Sequence, residues 1–214
     1  MPWGRESAPP PSAKGDVVPA RRRWPLVGAS LILLIAAAFW SARPPAPRGS
    51  ASASPTLELR VNLSERTLVA RAEDGEEWTY GVAVGTSDHP TPHGSFRVAR
   101  IIWNPRWVPP DSEWARDLEP AEPGDPHNPM GRVKMYFRGP AYYIHGTPDE
   151  ASIGRAASHG CIRMRDDDIV ELARLVMEHG GEPREPGWFR RVLNHLRSTE
   201  EVRLSDPVPL EILP

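Results

Sequence analysis

Residues 142–164 read YYIHGTPDEASIGRAASHGCIRM and hold the single cysteine of a 214-residue chain with seven histidines. The stretch opens as a strand, "YYIH", ending on His145. Gly146, Pro148 and Gly154 then supply turn chemistry. After Cys161 the spacing becomes helical: in "RDDDIVELARLVMEHGG" Ile169, Leu172 and Val176 share a face, flanked by Ala173 and Leu175. Asp166–Asp168 suit the positive end of that helix and Gly180 can stop it. The cysteine therefore sits on the turn or strand that feeds the main helix. His145 can reach it only if the chain folds back through the glycines. His159 lies two residues before Cys161 and shares its face if the segment is extended.

Three readings of Cys161 compete. A thiol becomes a nucleophile as a thiolate, and a neighbouring imidazole is the usual means of making one near neutral pH. Gly160 lets backbone approach a substrate, and adjacent amides there can form an oxyanion hole. The second reading is a small buried hydrophobe. The third is zinc held by His145, His159 and Cys161, which offers only three ligands without tight paired spacing. A phosphatase-type loop fails, because position 167 is Asp where the phosphate-binding arginine is needed. One cysteine also excludes an internal disulfide.

Outward from this stretch the pattern is of period two. Leu57, Leu59, Val61 and Leu63 alternate with polar residues, as do Trp78, Tyr80, Val82 and Val84, with "EDG" at 73–75 as turn chemistry between strands. "TPHGSFRVARI" and "KMYF" read as further strands. Between them lies Asn104–Asn128, irregular and carrying six prolines; loops of this length in compact domains are usually functional or disordered. A second helix is expected at Trp188–Leu196, and "VRLSDPVPLEIL" returns to extended structure. The expected fold is mainly β with a few helices, over one domain at 56–214.

The first 55 residues differ in kind. They hold ten of the 26 prolines, and residues 1–54 carry seven Lys/Arg against two acids. The remainder has 19 basic and 26 acidic residues, a net of −7. So acidic a domain is a poor partner for nucleic acid. Residues 1–23 form a basic tail ending in Arg21–Arg23. Residues 24–42, bounded by Trp24 on one side and Trp40 near the other, provide 19 uncharged positions, sufficient for one transmembrane helix. Residues 43–55 read as a Pro/Ala/Ser-rich linker. Arginines before the apolar run put the N-terminus in the cytoplasm. Phe39 and Trp40 occupy the positions where a cleavage site needs small residues, which favours a single-pass anchor over a cleaved signal. The domain is then expected on the extracytoplasmic, periplasmic side of the membrane.

"IHGTPDEASIGRAASHGCIRM" resembles the signature of the L,D-transpeptidase catalytic domain, the YkuD family. "YGVAVGTSDHPTPHGSFRV" resembles its strand and T-P-x-G-x-F turn. "NPRWVPP" and "HNPMG" resemble its two N-P elements, and "VRLSDPVPLEI" its closing strand; together they cover Leu57–Ile212. The resemblance implies a mixed β-sheet or sandwich fold of that family. It implies cleavage of a peptidoglycan tetrapeptide stem through a cysteine thioester, transfer to a stem amine to give 3–3 cross-links, no metal or other cofactor, and covalent inhibition by carbapenems. Cys161 then matches the nucleophile. His145 matches the general base, with its second ring nitrogen on a backbone carbonyl. Ser158, His159, Gly160, Arg163 and Gly146 fall in the oxyanion and substrate-positioning segments. Alternatives at the same site are an L,D-carboxypeptidase using water and a non-catalytic wall-binding module. Asn104–Pro126 is longer and more acidic than a minimal member needs, and Glu182–Leu204 looks like an insertion.

Overall fold

The structure, a computed structural model, describes residues 56–214. Ten strands and two helices follow one another as β1 (Leu57–Asn62), β2 (Thr67–Ala72), β3 (Glu77–Gly81), β4 (Val84–Gly85), β5 (Gly94–Trp103), β6 (Val133–Arg138), β7 (Tyr142–Thr147), β8 (Ala156–Ser158), β9 (Ile162–Arg165), α1 (Asp166–His179), α2 (Pro186–Asn194) and β10 (Glu200–Leu213). Eight strands form one sheet in the order β3-β2-β1-β10-β5-β6-β7-β9, and β4 pairs with β8 in a second, two-stranded sheet. The pairs β1–β10 and β7–β9 are parallel, and the remaining neighbours in the large sheet are antiparallel. This is the mixed β domain with a few helices that the alternation implied.

Alternation is what builds the sheet. Leu57, Leu59 and Val61 of β1 point inward while Glu58 and Arg60 face solvent. The same face continues through Ile101, Trp103, Met135, Ile144, Ile162 and Met164, all fully buried. Helix α1 covers it with Ile169, Leu172 and Val176. Each such side chain contributes about 1.5–3 kcal/mol of transfer free energy. Helix α2 starts at Pro186 rather than the expected Trp188, because proline fits the first helical turn, and ends at Asn194 rather than Leu196. Its Trp188 and Phe189 pack against Trp103 at 5.7 and 5.6 Å between ring centres. The 182–204 segment is thus a support for the sheet's central strands.

The run Trp78–Val84 does not stay in one strand. β3 ends at Gly81, and Ala83 crosses to exchange two 2.9 Å backbone hydrogen bonds with Arg163. Period two gives the alternation but not the partner, so the break was invisible in the sequence. Among the described residues no helix is long and apolar enough to cross a membrane. The expected basic tail, span at 24–42 and linker lie outside those residues.

Candidate active site

The site grows out of the β7–β9 register. Ile144 lies beside Ile162 and His145 beside Arg163. Ile144 and Ile162 enter the core, so the alternate residues Tyr143, His145, Cys161 and Arg163 share the opposite face. His145 and Cys161 are diagonal neighbours on it. The two residues the sequence singled out, sixteen positions apart, are thus brought to one face, His145 on β7 and Cys161 at the entry to β9.

His145 is only 2 % exposed. Its Nδ1 lies 2.6 Å from the Gly146 carbonyl oxygen. A carbonyl can only accept, so Nδ1 carries the proton and Nε2 is left as the basic nitrogen. Burial lowers the ring's pKa to about 4, helped by the charges of Arg163 and Lys134, while the Gly146 and Pro129 carbonyls pull the other way. Cys161 is half-buried, and its thiol donates to the Ala141 carbonyl at 3.4 Å. Burial pushes this thiol up, against the opposing pull of the Tyr143 amide and of Arg163 and Lys134. Both shifts favour the uncharged form. The resting pair is a thiol and a neutral imidazole.

The turn before Cys161 is held by Ser158. Its hydroxyl donates to the Cys161 carbonyl and accepts the Gly160 amide at 3.1 Å. The Gly160 amide is therefore committed to the turn. Gly160 is needed for shape: its φ is +101°, and a Cβ there would meet the Tyr142 ring at 2.8 Å. That positive φ also breaks the extended geometry that would have set His159 and Cys161 side by side. His159 turns away, stacking on Trp114 at 3.9 Å with its ring 4.8 Å from His89. His89 is thus part of the site's rim. Arg163 has its guanidinium 3.8 Å from Asp149 and its backbone pinned by Ala83.

Asp166 was legible only as one of three acids opening a helix. Its carboxylate accepts the Arg132 amide at 2.9 Å, and a Cβ on Gly146 would lie 2.0 Å from it, one on Gly131 2.1 Å. It thus packs against the residue whose carbonyl orients His145. The two N-P elements also acquire a physical role. Asn104 Nδ2 donates to the Val192, His195 and Ser198 carbonyls, and Asn128 Nδ2 donates to those of Pro105 and Glu122. These amides tie the start of the long loop to the end of α2 and the residues after it, and the end of the loop back onto its own start. Nothing in their spacing announced those partners. Among the described residues, no three His, Cys, Asp or Glu side chains are grouped to hold a metal ion.

Residues 57–199 match the sequence family described as the L,D-transpeptidase catalytic domain, YkuD. The chain belongs to that family. A Fuscovulum blasticum protein named as a candidate L,D-transpeptidase is 42% identical over 106 residues, which are 49% of this chain and 56% of the relative. Bacillus subtilis YqjB, named likewise, is 34% identical over 121 residues, covering 54% of this chain and 64% of the relative. The chain spans less than two thirds of these curated relatives. Among solved structures, the catalytic domain of the Enterococcus faecium L,D-transpeptidase is 16% identical with a TM-score of 0.47, over 74% of this chain and 98% of that one. L,D-transpeptidase 3 of Mycobacterium tuberculosis, solved with a faropenem-derived adduct, is 16% identical with a TM-score of 0.44, over 75% and 61%. The candidate site, at the seam of β7 and β9, lies within the matched residues.

Proposed function

We propose that the protein is an L,D-transpeptidase acting on peptidoglycan stem peptides, with Cys161 as nucleophile and His145 as base. The observation that carries the reading is the fixed tautomer of a fully buried imidazole on the strand beside a half-buried thiol, both on one face. The Cys161 sulfur attacks the carbonyl joining the third residue of a tetrapeptide to its terminal D-alanine, and its proton passes to His145 Nε2. The C–N bond breaks, the leaving amine takes that proton, and a thioester remains. An acceptor amine then attacks the thioester, gives its proton to His145, and the sulfur leaves and is reprotonated. An imidazole with a pKa near 4 is a weak base, so proton transfer accompanies S–C bond formation rather than preceding it.

The N-terminal segment 24–42 is proposed as the membrane anchor that keeps the domain in the cell envelope, supported by its apolar length and the arginines before it. Protease accessibility of residues 56–214 in intact spheroplasts tests that orientation, and protection by the sealed membrane would refute it. For the chemistry, the purified protein is incubated with a defined tetrapeptide, with and without an amine acceptor. Loss of D-alanine with 3–3 dimer formation is expected; a tripeptide regardless of acceptor would make water the acceptor. Cys161→Ala is expected to abolish turnover and any covalent carbapenem adduct, read by intact mass. A surviving adduct would place the nucleophile elsewhere.

A further inference from the structure

The face that carries Cys161 and His145 continues across two more strands. Lys134 lies opposite His145 and Tyr136 opposite Tyr143 in the β6–β7 register, and Arg100 lies opposite Tyr136 in the β5–β6 register. Three interstrand steps, about 14 Å, separate Cys161 from Arg100, the length of about four extended residues. The side chains along this strip are in contact. The Arg100 guanidinium sits 3.6 Å over the Tyr136 ring, and the Lys134 ammonium lies 5.1 Å from the Tyr143 ring and 5.4 Å from that of Tyr136. The two rings meet edge to face at 4.7 Å.

Two features of the strip are out of keeping with the rest of the domain. The first is sign: a domain with 26 acids and 19 bases places Arg163 and Lys134 near its thiol and Arg100 further along the same strip. The second is the lack of counter-ions. Asp149 approaches Arg163 at 3.8 Å and Glu201 pairs with Arg203 at 2.7 Å, but among the described residues no carboxylate pairs with Arg100 or Lys134. Both are half-buried. A cation drawn partly out of water without an anion is costly, and stacking on tyrosine offsets only part of that. The stacking does fix both head groups in advance, which lowers the cost of ordering them on a ligand.

We propose that Arg100 and Lys134, presented on Tyr136 and Tyr143, form a carboxylate-binding subsite that selects an anionic acyl donor. The proposal rests on the transpeptidase reading above for the identity of the donor, and not for the existence of the subsite. Lys134, beside His145, is the primary contact, and Arg100 closes the far end of the strip. Two carboxylates on a stem peptide have the right chemistry: that of the departing terminal residue, and one borne within the stem.

The full-length protein and its Lys134→Gln and Arg100→Gln variants are assayed with three donors: the free tetrapeptide, its C-terminal amide, and a form with its internal carboxylates amidated. The wild type is expected to show a KM about tenfold higher for one amidated donor, which identifies the carboxylate. Lys134→Gln should raise KM for the free donor about tenfold, change kcat by less than about threefold, and erase the preference for the free acid. A merely structural lysine would lower activity on all three donors alike. Calorimetry with Cys161→Ala protein and its Lys134→Gln derivative reads the same preference without turnover. If the wild type turns over none of the donors, the transpeptidase reading fails; carboxylate-dependent binding lost with Lys134 would still sustain the subsite. Equal Kd values for free and amidated peptides, or a preference surviving Lys134→Gln, would overturn it.

Discussion

Two histidines of one motif have opposite surroundings. His145 is sealed in the sheet, its ring orientation fixed by the Gly146 carbonyl and its pKa lowered by burial. His159 is largely exposed, held by a stack on Trp114, itself 38 % accessible on the long loop. The first has one geometry enforced by strand pairing; the second makes its ring contacts with loop residues at the surface. The family resemblance points to His145 as the base, and its burial and fixed ring support that proposal. A base must be held in register with its partner over many turnovers, and a paired strand holds better than a turn.

The sharpest way to break this contrast is to remove each ring. His145→Ala should lower the rate of Cys161 acylation by about 10²–10⁴, and His159→Ala by less than about tenfold, measured by stopped-flow or mass-resolved acylation. The reverse order would exchange their roles. Next is Gly146→Ala. Its Cβ would fall on the Asp166 carboxylate at 2.0 Å with backbone at 3.2 Å, so about 3 kcal/mol of overpacking is expected, read as a lowered chemical-denaturation midpoint. Tolerance of alanine there would mean that Asp166 is not held against the strand.

A third test uses pH. His145 has a folded pKa near 4 against an ordinary 6.5, so between those values the unfolded chain binds the extra proton and stability rises with pH. The contribution is whole above 6.5 and is lost as pH falls toward 4, about 2 kcal/mol of it by pH 5. Replacing the ring by glutamine should flatten the pH 5–7 slope of unfolding free energy relative to wild type. An unchanged slope would mean that the imidazole is not buried neutral. The smallest effect belongs to the other histidine's neighbour: Trp114→Ala should raise donor KM about threefold with little change in thermal midpoint, since the stack lies outside the core.

Much of this was legible in the chain. Alternation at Leu57–Val61 and the 3.6 period of Ile169, Leu172 and Val176 are local signals, and the elements formed there with boundaries close to those expected. Trp78–Val84 was legible as alternating but not as split between two sheets, because the pattern encodes which face is buried and not which strand it meets. Of the site, Cys161 and His145 stood out because their chemistry is rare and motif-bound. Asp166 did not, because its role depends on Gly131 and Gly146, distant in sequence and close only after folding. Arg100, Lys134 and the two tyrosines look like ordinary strand residues until the register aligns them.

By itself the sequence determined the mainly β character, the main helix and the family, and it singled out the pair of residues proposed to carry the chemistry; each depends on residue type and spacing along a few turns of chain. Only the tertiary structure decided which histidine is buried, which nitrogen is basic, that the Gly160 amide is taken by Ser158, and that a row of cations lies beside the thiol. Those properties arise from pairing between strands far apart in the chain, where solvent exclusion and register, not local preference, set the charge and direction of each side chain.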